Sequence, residues 1–220
     1  MFKRKLTISD FFLIAVNLVP VFGVWFEGWD ARKIFIVYCI ETVIVGLVTI
    51  LKMAGVTLFV QSKHVWNNNG AKSMQSGFFF IIFFIVHYGF FVFVQTQIFF
   101  SVTDLNQSAI GFGIYSKIPA MLGHEGRLMV LIFMIYYTAQ GLFGFFGSGQ
   151  YKTISMTRLM MQPYVRIFIQ QFIVIIGGML LAFGAYNLFI LVMALTRLSI
   201  ELFVDLDGLM EKEEKNNLKM

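Results

Sequence analysis

Cysteine is nearly absent. The single Cys39 lies inside an apolar run, so no disulfide framework exists. Charge is also scarce: 13% of the 220 residues are Asp, Glu, Lys or Arg, about half the share of an ordinary soluble domain, roughly 25%. No polar stretch is long enough to form a separate soluble domain. The chain has no HExxH pair, no phosphate-binding glycine loop and no paired-aspartate motif. A metal site wants three or four His, Cys or carboxylate ligands. Within the apolar runs the titratable candidates are His87 and Glu41, so neither a metal nor a cofactor is expected. The segment FFGSGQY places Ser148 between two glycines, as in an intramembrane serine protease. Phe146 stands two residues before the serine, where such a protease would have glycine, and Ser148 falls at a membrane edge.

What the chain has in abundance is apolar surface. Hydrophobic residues make up 58% of it, 27 of them phenylalanine, and the mean hydropathy is +0.78. These residues gather in runs long enough to cross a bilayer, which takes about 20 residues. Six spans are predicted, at 10–27, 33–53, 78–101, 128–147, 166–184 and 186–204. The opening MFKRK resembles a signal peptide, but no small-residue cleavage site follows, and it is read as a retained first span. With the N-terminus in the cytoplasm, twelve Lys and Arg fall inside, from Lys3 to Lys219, against Arg32, Lys33, Lys117 and Arg127 outside. This asymmetry needs an even number of spans and both termini inside. It also accounts for the net charge of +5 without nucleic acid. Three loops have some character. The stretch 63–76 is polar and turn-rich, an ordinary cytoplasmic connector. The external stretch 101–127 either lies on the membrane surface or folds back as a cap. In the cytoplasmic stretch 147–166, Ser155 or Thr157 caps a short turn that Pro163 ends. Gly141, Gly144 and Gly147 form a smooth stripe for close helix approach.

A few polar residues interrupt the spans. Helical rise of about 1.5 Å per residue places Glu41, His87, Gln140 and Arg197 near the middle of a hydrocarbon core about 30 Å thick. Asn17 lies somewhat lower, and Gln170 and Gln171 lie near the inner face. A charge facing lipid costs roughly 2.5–3.5 kcal/mol on insertion scales, so the cheapest arrangement turns these groups inward together. Glu41 and Arg197 then cancel, with His87 and Gln140 saturating the remaining donors and acceptors. Three readings stay open. The cluster only fixes helix packing; or it is a polar chamber for a solute, proton or cofactor; or Arg197 snorkels away and leaves Glu41 protonated or paired with His87.

Four blocks carry a resemblance: YCIETVIVGLVTILKM at 38–53, VHYGFF at 86–91, AQGLFGFFGSGQY at 139–151 and PYVRIFIQQFIVIIGG at 163–178. In this order the chain resembles an uncharacterised, domain-of-unknown-function family of bacterial and archaeal polytopic membrane proteins, common in Bacteroidota. The resemblance implies a family glutamate at Glu41 and a family histidine at His87. It also implies family histidines where this chain has Gln95, Gln140 and Gln171. If the family binds a metal, this member has exchanged its ligands for amides, which keep hydrogen bonding and discard ligation.

The expectation is therefore an all-α, single-domain, six-helix inner-membrane protein. It is non-enzymatic, with a polar intramembrane site of Glu41, His87, Gln140, Arg197, Asn17 and Gln171 that binds or moves a small solute or proton. One alternative is a structural or assembly subunit of a membrane complex. Another is a membrane enzyme or haem protein using His87. Expected partners are the lipid bilayer and other membrane subunits or a second copy, with no nucleic acid.

Overall fold

The computed structural model describes residues 8–68, 71–103 and 111–203. Long helices dominate: α1 (Ile8–Phe26), α2 (Ala31–Phe59), α3 (Gly77–Thr103), α7 (Met156–Ala182) and α8 (Tyr186–Phe203). Short pieces complete the chain: α4 (Ile118–Met121), α5 (Gly123–Tyr136), and α6 (Phe145–Gly147). Between α5 and α6 the backbone widens into a π-helix over Tyr137–Gly144. Among the described residues, four helical stretches are long and apolar enough to cross a membrane: Ala31–Phe59, Gly77–Ser101, Gly123–Gly147 and Met156–Gly177.

The stretch 63–76, expected as a plain connector, is a β-hairpin. Strand β1 (Lys63–Asn68) pairs antiparallel with β2 (Ala71–Ser76), from Lys63 opposite Ser76 to Asn68 opposite Ala71. Alternation explains it. His64 is buried while Val65 is exposed, and Trp66 returns to the inner face to pack edge-on against Phe79, Phe80 and Phe83. The fold is mostly helical rather than all-α.

A second correction concerns Pro163. It does not end a turn but sits inside α7. Ser155 does cap, its Oγ accepting from the Arg158 N–H at 3.2 Å. The helix then continues because Met156, Leu159, Met160, Tyr164 and Ile167 are all buried. That single stripe outweighs the proline's missing donor, since tertiary burial routinely overrides local propensity.

The chain divides into two compact units. One comprises Met1–Val37, Gln97–Gly126 and Ile169–Met220. Here α1 packs on α8, with the Trp25 indole donating to the Asn187 carbonyl at 3.2 Å. Phe35 stacks on Phe99 at 4.2 Å and meets Phe189 at 5.5 Å. Asp30 caps α2: its Oδ1 accepts from the Arg32 N–H at 2.9 Å, and its carboxylate pairs with the Arg32 guanidinium at 3.1 Å. Burial raises the Asp30 carboxyl, yet these Arg32 contacts outweigh it and hold the group below its ordinary range. Gly111 meets α3 at Gln97. The Gln97 amide accepts from the Gly111 N–H at 2.8 Å and donates to the Gly111 carbonyl at 3.2 Å, and Ile114 is fully buried.

The other unit comprises Tyr38–Thr96 and Arg127–Phe168. Its helices are set in register by glycines. Gly77 leaves no room for a Cβ beside Thr57, and a Cβ on Gly46 would meet the Tyr88 ring at 2.7 Å. These pairs are equally spaced along both helices (46 to 57, 77 to 88), so α2 and α3 run antiparallel. By contrast, Tyr38 faces Phe133, Gly141 abuts Val48, and Gly55 lies against Phe146. Both series ascend, so α2 runs parallel to α5 and its continuation. Of the expected glycine stripe, Gly141 alone admits a neighbouring helix; a Cβ on Gly147 would meet nothing within 4 Å, and one on Gly144 only its own backbone. The π-helical winding spoils the spacing of three, because each turn there takes more residues.

Candidate functional site

Glu41 points into the second unit and is only 2% exposed. Its Oε1 accepts a hydrogen bond from the Tyr137 hydroxyl at 2.5 Å. Tyr137 opens the π-helical segment. Such widened turns are frequent at functional sites, and this one places the phenol against α2. The wall beside it is aromatic: Tyr38 packs on Phe133 at 5.9 Å, and Phe133 on Tyr137 at 6.4 Å. Along α3, Tyr88 donates its hydroxyl to the Thr42 carbonyl at 2.9 Å. Seven residues further, the antiparallel register brings Gln95 to the level of Cys39, next to the Glu41 turn. Gln95 is 2% exposed, and neither its Nε2 nor its Oε1 has a hydrogen-bond partner among the described residues. Such a group is rare in a folded chain, because an unmet buried amide costs about 1–3 kcal/mol.

His87 belongs to a different neighbourhood. Its Nδ1 shares a 2.9 Å hydrogen bond with the Tyr164 hydroxyl on α7. Its ring stacks on Phe83 at 5.1 Å, with Phe91 edge-on at 5.1 Å, and the residue as a whole is exposed. Gln140 is also exposed, and Gln171 is half-buried. Asn17 is buried in α1, within the first unit. Arg197 lies on α8, but its side chain is outside the described residues. Of the expected cluster, the structure thus places Glu41 deep inside and gives it a tyrosine, while His87 turns to another tyrosine.

Tyr137 and Tyr164 were not singled out from the sequence. A weak signal exists: a tyrosine in an apolar run carries a hydroxyl that must find a partner. Among the described residues, no group of three or more His, Cys, Asp or Glu could hold a metal ion. The second unit thus holds two buried polar groups: the Glu41 carboxyl on a phenol, and the Gln95 amide with no hydrogen-bond partner among the described residues.

The chain belongs to a family of unknown function (DUF6498), whose model matches residues 1–219. No curated protein and no solved structure matches it.

Proposed function

We propose that this is a multi-pass inner-membrane protein of six spans with both termini in the cytoplasm. Its Glu41–Tyr137–Gln95 corner is a polar intramembrane site that binds or passes a proton or small solute. The helix directions support the threading: α2 antiparallel to α3 and parallel to α5 is what a chain crossing back and forth requires. The surface supports the bilayer. On α3, Phe84 is fully buried while Val86 is 68% exposed, and Ile82, Ile85 and Phe90 share that outward apolar face. Water would penalise such a surface, and lipid does not. The observation that carries the site is Gln95. A bundle built for packing alone would place an apolar side chain there; two unmet polar atoms leave bonds for a guest.

The test is flux. The protein is reconstituted into liposomes holding a pH-sensitive dye, and a potassium diffusion potential drives protons. Glu41-dependent acidification is expected, lost in Glu41→Gln and altered in Gln95→Leu. Equal rates in wild type and Glu41→Gln, with no stabilisation by a panel of small acids, amines and sugars, would defeat the reading. The assembly-subunit reading would then take its place, favoured by how completely Glu41 is enclosed. Threading is tested separately by single cysteines in a Cys39→Ala background. Labels at 70 and at both termini are expected only from the cytoplasmic side, and a label at 117 only from outside.

A further inference from the structure

His87 is a polar group on an apolar, outward surface, and the Glu41 site does not use it. It lies ten residues into α3, about 15 Å along the helix at 1.5 Å per residue, which is mid-depth in a core of about 30 Å. Its setting is built. Phe83, His87 and Phe91 follow one another at four-residue spacing, so they form one stripe on α3. Tyr164 reaches across from α7 to hold Nδ1, and its ring packs against Phe91 as well. Phe90 and Phe168 extend the aromatic surface and are both exposed. The phenol fixes the imidazole: the buried Tyr164 hydroxyl has no other acceptor among the described residues, so we assign it as the donor to Nδ1 and place the ring N–H on Nε2. That N–H has no partner among the described residues.

We propose that His87 Nε2–H is the docking point for the carbonyl head-group of a lipid-soluble quinone. Three features select this class. A partner arriving at mid-depth from the lipid side must itself be lipid-soluble. It must offer an acceptor, because Nε2 is a donor. Its head must be flat, because the surface around the imidazole is aromatic and favours offset stacking. A second copy of this chain fits less well, since a two-fold contact would set two N–H donors face to face with no acceptor between them. The proposal concerns binding, and it rests on the membrane placement given above.

The test uses the full chain in lipid nanodiscs with Trp25→Phe and Trp29→Phe. This leaves Trp66 as the one reporter of three tryptophans, 5.5 Å from Phe83. A decyl benzoquinone and a decyl naphthoquinone are titrated, and Trp66 quenching is read. Saturable quenching is expected, weakened at least tenfold in His87→Phe and a few-fold in Tyr164→Phe. Both variants are checked for an unchanged elution profile. Linear, partition-like quenching in every variant would overturn the proposal, as would equal affinities. A Soret band in the purified protein would overturn it in favour of haem. Conversion from dimer to monomer in His87→Phe, without quinone binding, would overturn it in favour of a self-interface. Alkaline extraction separates the two levels. A chain released from membranes defeats the membrane reading itself, whereas an integral chain that ignores quinones defeats this inference alone.

Discussion

Glu41 and His87 invite comparison because each interrupts a long apolar helix and each is answered by a tyrosine. The hosts differ. In α2, 56% of the most apolar window is buried, against 28% in α3, so a polar residue on α2 meets protein about twice as often as one on α3. The bonds differ too. Tyr137 donates to a buried carboxyl at 2.5 Å, while the buried Tyr164 meets the ring of an exposed histidine at 2.9 Å. One tyrosine is required by the buried carboxyl it serves. The other orients a ring whose second nitrogen faces outward. The same residue type, in the same kind of helix, therefore supports an internal site in one case and a surface site in the other.

The largest expected effect tests the internal half of that contrast. Tyr137→Phe removes the donor and leaves the Glu41 carboxyl short of a partner in the core. Removing one partner of a buried hydrogen bond costs about 1–3 kcal/mol, and a loss of that size is expected in detergent unfolding. Glu41→Leu combined with Tyr137→Phe should recover much of it, because replacing both members of a buried polar pair is far cheaper than removing one. Additive losses in this cycle would show that the pair is not coupled.

The helices were legible and their partners were not. The expected span 78–101 is α3 at Gly77–Thr103, because an unbroken apolar run has few alternatives; the expected span 186–204 is helical as α8 at Tyr186–Phe203, with a shorter apolar part at Asn187–Thr196. The hairpin was missed although Asn69 and Gly70, which lie outside the described residues, are a strong turn signal between strands. Its strands are polar on one face and show no apolar run. Glu41 was found as an expensive group. Its answer in Tyr137 was not, since depth along a helix is readable from sequence but rotation about its axis is not. The π-helical winding at 137–144 compounds this by shifting every later residue around that axis.

A medium effect probes packing between α2 and α3. Gly46→Ala would drive a methyl to 2.7 Å from the Tyr88 ring, displacing the hydroxyl that Thr42 accepts. Overpacking of this kind costs about 1–3 kcal/mol. Gly89→Ala, with nothing within 4 Å, is the control: it should hold stability or raise it slightly, since alanine is the better helix former. Equal effects at both positions in a thermal melt would show that the two helices do not meet as described.

A pH-dependent effect belongs to the hairpin, outside the spans. His64 is buried, packs edge-on to Phe80 at 6.0 Å, and its Nδ1 meets the Gln61 Nε2 at 3.1 Å. Since an amide nitrogen donates, the imidazole accepts and is neutral. Burial holds His64 below its ordinary value. The unfolded chain therefore binds a proton at higher pH than the folded one. Stability is full above the unfolded value, about 6.5, and is lost as pH falls from there toward the lower folded value. Melting temperature should drop through that window in wild type, and less so in His64→Phe, where no proton can bind. An equally steep drop in the variant would assign the effect to another group.

The smallest effect is expected at the His87–Tyr164 pair, and it closes the contrast with Glu41. Tyr164→Phe deletes one hydrogen bond, worth about 0.5–1.5 kcal/mol. The aromatic contacts of Tyr164 with Phe84 and Tyr88 are kept by the phenylalanine ring. Adding His87→Phe removes the other half of the bond and substitutes a ring of similar size that can still stack on Phe83. Both polar groups are then gone and no orphan remains, so the double variant should melt within about 0.5 kcal/mol of wild type, because replacing both partners by apolar groups of similar shape is nearly neutral. A large loss in the double variant would mean that His87 supports the fold and is not spare surface chemistry. A neutral result would leave the imidazole–phenol pair without a structural reason to exist, which is the condition a binding role requires.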